Sequence, residues 1–215
     1  MAVSAISFIS CNDKEESCNS KIEVFKMQHE DYNNLTRKEW LSLPDSTKYL
    51  AYLTMSPSAK YNFWIDKLTE TKNAEDWNTA ESAHINKVLK FIESNNSIFN
   101  DDFMNNSNNY KKVNDFLADW IEYASNNLGW AFVVQYGVIG TGLPFVDVIN
   151  GNFGDRDRGQ GGFYYCDCRT KKFGWCTLIG KKCSPSSIEN GKCWDTKTGC
   201  GLLWLYGCDG YCIKK

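Results

Sequence analysis

Residues 166–212 have the sequence CDCRTKKFGWCTLIGKKCSPSSIENGKCWDTKTGCGLLWLYGCDGYC and contain eight of the ten cysteines of this 215-residue chain. A segment of this length buries too little apolar surface to hold itself together, so such cysteine density is typical of a disulfide-linked module. The connectivity stays open, although Cys166 and Cys168 are too close to pair comfortably with each other. The predicted disulfide cysteines are Cys166, Cys168, Cys176, Cys183, Cys193, Cys200, Cys208 and Cys212.

Zinc binding is the alternative use of such a cluster. Structural zinc sites repeat pairs of ligands separated by a few residues, often with histidine. Here only Cys208 and Cys212 are separated by three residues, no pair is separated by two, and the segment contains no histidine. The pattern therefore favours disulfides in an exported protein, and it predicts neither a metal site nor a cofactor.

The order of these cysteines, with GCGLLWLYGC at 199–208, resembles that of the fulvocin C-related bacteriocin proteins of Bacteroidetes. Two upstream stretches, LTRKEW at 35–40 and LPDSTKYLAYLTMSPSAKYNFWIDKL at 43–68, resemble the helical part of that group. The chain departs from the bacteriocin at its end, where three residues separate Cys208 from Cys212 in place of a tight Cys-x-Cys, and its last pairing stays open. The resemblance implies an antibacterial peptide module at the C-terminal end.

The N-terminal sequence predicts export and lipidation. MAVSAISFIS at 1–10 is apolar and leads directly into Cys11, as in bacterial lipoprotein signals that are cut before a lipid-carrying cysteine. The apolar run is short and no Lys or Arg precedes it, so the natural start is expected upstream; the alternative is a frayed terminus with an ordinary cysteine. We expect Cys11 to anchor the protein to the outer membrane or cell surface of the producer. Cys18 is then left free or joins two chains.

Residues 22–149 carry the patterns of amphipathic helices. Thr36 and Glu39 predict a capping box, Asp45 predicts the next cap, and Ser56 with Pro57 predicts a third helix start. Apolar side chains then recur at helical spacing. The predicted fold is mainly α: a bundle of roughly five to seven helices with a tryptophan-rich core, followed by a small disulfide-rich module with little regular structure or short β-strands.

Two features of the helical part allow alternatives. The aromatic residues Tyr61, Trp64 and Trp120 could line a pocket for an apolar ligand, but their helical spacing favours core. The stretch 128–148 is long enough to span a membrane, yet Gln135, four glycines and Pro144 interrupt it. A buried helix followed by a glycine-rich turn is therefore favoured over a transmembrane helix.

Composition divides the chain into a tether at 1–21, a helical domain at 22–149, a linker at 150–162 and the module at 163–215. The module contains nine Lys and Arg against four Asp and Glu, a charge of +5, so residues 1–162 carry −7 of the net −2. Gly162 ends a double glycine that resembles a bacteriocin leader site, and Arg158 offers a trypsin-like site. A cut at either residue would release the cationic module.

The sequence favours binding over catalysis. It contains only two histidines, His29 and His84, and no nucleophile motif or phosphate loop, so we predict that the protein is not an enzyme. The predicted contacts with an anionic target membrane or a target-cell receptor are Lys171, Lys172, Lys181, Lys182, Trp175 and Trp204. We expect no nucleic-acid partner. The alternative is a binding or adhesion module that stays attached and recognises a glycan or a protein; a weaker one is an immunity or processing partner.

Overall fold

The computed structural model describes residues 27–151, 181–185, 196–208 and 210–214, and it places the side chains of 27–151 and 199–206. In these residues the protein is mainly helical, as predicted. Seven α-helices occur in the described part: α1 Arg37–Ser42, α2 Asp45–Thr54, α3 Pro57–Asn73, α4 Thr79–Ser94, α5 Ser107–Asn127, α6 Phe132–Ile139 and α7 Phe145–Ile149. Short 3₁₀ turns lie at Glu30–Asn34, Asn96–Phe99, Phe103–Asn105 and Leu202–Trp204.

The start of α1 confirms the predicted capping box. The Thr36 hydroxyl accepts a hydrogen bond from the Glu39 amide, and the Glu39 carboxylate accepts one from the Thr36 amide at 2.8 Å. The predicted cap of α2 by Asp45 is wrong, because Pro44 occupies the cap position and Asp45 is the first helical residue. The Asp45 carboxylate instead forms a 2.7 Å ion pair with Lys48, one turn further along the helix.

The starts of α3 and α4 are also fixed by side chains. Ser56 caps α3 by accepting from the Ala59 amide, and Pro57 occupies the first helical position, as predicted. Asn78 and Glu81 form a second capping box at the start of α4, which the sequence analysis did not identify. These caps satisfy backbone groups that the first helical turn leaves without partners.

The aromatic residues of the helices form core, as predicted. Trp64 and Trp120 are buried, and Tyr61 packs partly buried against the same cluster. The apolar stretch at 128–148 folds as α6, a turn and most of α7, and Gln135 of α6 donates to the Ser125 hydroxyl and the Trp130 carbonyl. None of the helices in the described residues combines the length and apolar character needed to cross a membrane.

The C-terminal part contributes two antiparallel strand pairs. Strand β1 (Lys181–Pro185) pairs with β4 (Gly210–Lys214), and β2 (Thr196–Cys200) pairs with β3 (Tyr206–Cys208). Residues 200 and 202–206, at and between β2 and β3, belong to the same hydrophobic core as the helices. These residues fall within the predicted module at 163–215, and burial of the run LLWLY in the helical core removes its apolar surface from water.

Candidate functional site

The most informative site is the place where residues 199–206, here called the docked segment, enter the helical domain. Gly199 and Gly201 begin it with φ of +107° and +72°, in the left-handed region that favours glycine. A Cβ atom on Gly199 would lie 2.8 Å from the Leu53 side chain and 3.0 Å from the Tyr49 hydroxyl. Glycine at position 199 thus lets the backbone pass directly against α2.

The turn inside the docked segment is backbone-strained. Leu203 and Trp204 have φ of +52° and +51°, and neither is glycine. Each such residue costs about 1–2 kcal/mol relative to an ordinary helical or extended conformation. Leu203 is fully buried and Trp204 is 5% exposed. The burial of both side chains offsets this strain.

Trp204 lies among aromatic rings from the first three helices. Its ring centroid is 4.6 Å from that of Tyr52 and 5.7 Å from that of Trp64, both in edge-to-face geometry. It also lies 5.8 Å from Trp40 and 5.9 Å from Phe63. Such edge-to-face pairs contribute beyond the area that they bury. Trp204 is therefore a central ring of the core of the helical domain.

The loop between α6 and α7 closes this site. The indole Nε1 of Trp204 donates a 3.1 Å hydrogen bond to the carbonyl oxygen of Gly140, which satisfies the one polar atom of the buried ring. At Gly142 a Cβ atom would lie 2.3 Å from the Phe63 ring. The loop can approach the aromatic rings this closely only because residue 142 has no side chain.

A polar cluster of Arg37, Asp66, Glu70 and Lys67 also contacts this loop. The buried Arg37 donates through Nε to the Gly142 carbonyl at 2.8 Å. Its Nη1 and Nη2 form ion pairs with Asp66 at 3.1 Å and Glu70 at 3.3 Å. Because a guanidinium offers several donors in a fixed plane, one side chain can join α1, α3 and the loop.

Lys67 is the second buried cation of this cluster. Its Nζ is 2.9 Å from the Thr71 hydroxyl and 3.4 Å from the Glu70 carboxylate. Burial disfavours the ammonium and lowers the pKa of Lys67 from 10.5 to about 8, although the Glu70 charge opposes this shift. Glu70 also accepts from the Phe145 amide at the start of α7. The Glu70 carboxylate therefore accepts from Arg37, from Lys67 and from the Phe145 amide.

The lowered pKa of Lys67 predicts a pH-dependent stability. Between pH 8 and about 10 the folded protein loses the Lys67 proton while the unfolded chain keeps it, so stability should rise with pH, by at most about 1.4 kcal/mol per unit. Lys67→Met should abolish this rise and stabilise the protein by about 1–3 kcal/mol at pH 7, since Glu70 keeps Arg37 as a partner. Urea unfolding of both proteins across this range measures the effect.

The exposed Lys72 provides the matched control for that experiment. Lys72→Met should reproduce the wild-type pH dependence, because it leaves Lys67 and its partners Glu70 and Thr71 in place. Wild type and Lys67→Met curves that run parallel from pH 7 to pH 10 would contradict the assignment of this titration to Lys67.

His84, the buried histidine of α4, has a structural environment. It is 1% exposed and stacks on Trp120 at 4.5 Å between ring centroids. Its Nε2 lies 3.0 Å from the Trp120 carbonyl, and the Trp120 indole donates in return to the His84 carbonyl. Burial lowers the pKa of His84, which favours the neutral ring. The arrangement joins α4 to α5 and matches the predicted packed role.

Elsewhere in the described residues there is little evidence for a ligand-binding site. A surface cleft of about 350 Å³ lies beside the start of α1, lined by polar residues such as Asn34, Ser58 and Asn62. Arg37 also lines this cleft, but its buried guanidinium already donates hydrogen bonds to the Gly142 carbonyl and to the Asp66 and Glu70 carboxylates. Within the described ranges no three His, Cys, Asp or Glu side chains are grouped so that they could hold a metal ion.

The structure corrects one predicted contact residue and leaves others undescribed. Trp204 cannot touch a target membrane from its place in the core, so that assignment is wrong in the folded protein. The backbones of Lys181 and Lys182 lie in β1. Cys200 is buried and disulfide-bonded, as one of the eight predicted cysteines. The predicted residues outside the described ranges are Cys11, Arg158, Gly162, Cys166, Cys168, Lys171, Lys172, Trp175, Cys176 and Cys193.

The strand register narrows the disulfide connectivity. Cys183 of β1 is directly opposite Cys212 of β4 in an antiparallel pair. Opposite residues in such pairs have Cα atoms about 4.5–5.5 Å apart, which is within the range of a disulfide. We therefore predict a Cys183–Cys212 bond, which mass spectrometry of a non-reduced digest should find. A peptide that joins Cys183 to any other cysteine in the folded protein would contradict the prediction.

The two buried lysines of α3, Lys60 and Lys67, were not predicted from the sequence. Lys60 and Lys67 lie on the same face of α3 as Phe63 and Trp64, three or four residues away. That spacing places two lysines on the apolar face of the helix, and it was the one sign in the sequence that they are buried. Their partners, Asp101 for Lys60 and Glu70 for Lys67, required the folded structure.

Comparison of the chain with models of known protein families, with curated proteins and with solved structures found no match. The resemblance to the fulvocin C-related proteins therefore stays a prediction.

Proposed function

We propose that the chain is an exported, lipid-anchored precursor that carries a cationic, disulfide-rich, bacteriocin-like antibacterial module at its C-terminal end. Lipid on Cys11 would attach it to the outer membrane or cell surface of the producer. The eight cysteines from Cys166 to Cys212 would form four cross-links, and a cut near Arg158 or Gly162 would break the covalent link between the module and the tether. The module would act by binding an anionic membrane or a target-cell receptor, without catalysis.

The observation that carries this proposal is the concentration of positive charge on the paired strands β1 and β4. Their register places Lys181 directly opposite Lys214, with Lys182 as the next residue of β1. Basic residues near an anionic membrane each contribute about 1 kcal/mol of attraction.

Vesicle binding by the full chain tests the proposal. In a Cys11→Ser background without lipid, the protein should bind vesicles of phosphatidylglycerol and phosphatidylcholine, more weakly as salt rises. Reversal of Lys171, Lys172, Lys181 and Lys182 to Glu changes the module from +5 to −3 and should abolish binding. The control protein carries the same reversal at four exposed helical lysines, Lys38, Lys72, Lys90 and Lys111. Its net charge changes by the same amount, and it should keep most of the vesicle binding.

Equal loss in both charge-reversed proteins would mean that net charge alone governs vesicle binding, which would contradict a role for the module. Failure of the wild-type protein to bind anionic vesicles at low salt, together with failure to inhibit any tested bacterium, would reject the antibacterial proposal.

A second candidate function is favoured by the docked segment. Because Trp204 is part of the helical core, the C-terminal part is suited to stay attached as a binding or adhesion module that recognises a glycan or a protein. This function predicts a saturable partner whose binding depends on Trp175 and not on vesicle charge. Trp204 is not a useful probe of recognition, since its replacement would destabilise the core of the helical domain.

A further inference from the structure

The docked segment packs against helices that precede it by many residues in the chain. The last helix, α7, ends at Ile149, and Cys200 is the first residue of the C-terminal part that lies in the helical core. All proposed cleavage positions lie between these two points. The contacts of the docked segment therefore join parts of the molecule that a cut at Arg158 or Gly162 would separate in the covalent chain.

The surroundings of the docked segment come from residues that precede Gly151. Trp40, Tyr52, Phe63 and Trp64 surround the Trp204 ring, and the Gly140 carbonyl accepts its indole hydrogen bond. Tyr206 packs edge-on against Tyr110 of α5 at 5.8 Å. The helices thus provide a groove that is apolar along its walls and carries one hydrogen-bond acceptor at the position of the indole.

The docked segment has the properties of a peptide ligand for this groove. Five consecutive side chains, Leu202 to Tyr206, are buried. The left-handed backbone at Leu203 and Trp204 is unfavourable for a free peptide and persists where surrounding structure imposes it. A segment that leaves the groove would lose this conformation and expose its apolar side chains to water.

We propose that the helical domain is a binding site for the C-terminal module, which it holds through residues 202–206 as an internal peptide ligand. The two parts then remain a noncovalent complex after the chain is cut between Gly151 and Thr196. This role rests on the contacts of the docked segment and is independent of the target of the module. Cleavage alone does not free the module, and its LLWLY residues reach other partners only after dissociation.

Cleavage of the full chain tests this inference. A recognition site for a sequence-specific protease is inserted after Arg158 in a Cys11→Ser, Cys18→Ser background, so that no disulfide can join the two fragments. After cutting, non-reducing denaturing electrophoresis should show two pieces, and size-exclusion chromatography should elute both together at the volume of the uncut protein. Circular dichroism should show unchanged helix content.

Substitutions in the cut protein identify the contact that holds the fragments. Trp204→Ala should weaken their association at least about 100-fold, because it removes a large ring from a packed site. Trp204→Phe should weaken it less, since a ring remains and only the indole hydrogen bond and some volume are lost. Trp120→Ala is the matched control: it removes a buried tryptophan that stacks on His84, and the fragments should stay associated.

Separate elution of the wild-type fragments, or aggregation on cutting, would overturn the inference. So would equal weakening by Trp204→Ala and Trp120→Ala, because the loss would then reflect general destabilisation. These outcomes do not depend on vesicle binding or antibacterial activity, so failure of the proposed function and failure of this inference are distinguishable.

Discussion

Replacing Trp204 with alanine is expected to lower the free energy of unfolding of the whole helical domain by about 3–5 kcal/mol. The substitution removes a 5% exposed ring that contacts Trp40, Tyr52, Phe63 and Trp64. It also leaves the Gly140 carbonyl without its indole donor. Urea unfolding followed by the helical circular dichroism signal measures the loss, although residue 204 lies far from the helices in sequence.

Two further substitutions make this result specific. Trp204→Phe should cost less than Trp204→Ala, because the phenyl ring fills part of the space and only the hydrogen bond is lost outright. Tyr123→Ala, at a 38% exposed aromatic position of α5, should cost much less. If Trp204→Ala leaves the unfolding of the helical signal unchanged, the docked segment does not belong to the core.

Replacing Glu70 with alanine is expected to lower the free energy of unfolding by about 3–5 kcal/mol, the cost of leaving buried charge without its partner. The Glu70 carboxylate accepts from Arg37 at 3.3 Å, from Lys67 at 3.4 Å and from the Phe145 amide at 3.3 Å. Without it, Lys67 has no ion pair among the described residues. The measurement is urea unfolding at pH 7.

The exposed Glu75, just beyond α3, is the control, and Glu75→Ala should change stability by no more than about 0.5 kcal/mol. In the double variant Glu70→Ala, Lys67→Met, the recovery should exceed the stabilisation that Lys67→Met gives alone, because the buried ammonium that needed Glu70 is gone. Additive effects of the two substitutions would contradict direct coupling between Glu70 and Lys67.

The parts of the fold that depend on local sequence were predictable. The Thr36 capping box, the Ser56–Pro57 helix start and the burial of Trp64 each follow from residues within about one or two helical turns. Asp45 was misassigned because Pro44, the residue before it, occupies the cap position and Asp45 is already the first helical residue. Local patterns place helices well and their first residues less well.

The candidate site could not be predicted, because its contacts are distant in sequence. Trp204 bonds to a carbonyl 64 residues away, and no periodicity connects an LLWLY run with the α6–α7 loop. The surrounding cysteines predicted a self-contained module. That prediction did not take into account that residues 202–206, LLWLY, form a hydrophobic run that is buried in a core. Arg37 likewise gave no sign in the sequence that it reaches the Gly142 carbonyl 105 residues later.

Amide hydrogen exchange of residues 199–206 in the intact protein tests most directly whether this segment is part of the helical core. Peptides that contain Leu203, Trp204 and Leu205 are expected to exchange as slowly as those of α3, at least about 1,000-fold more slowly than an unfolded chain, because opening them requires the core to open. Exchange at the rate of an unfolded chain while α3 stays protected would contradict the docking of this segment and the binding role assigned to the helical domain.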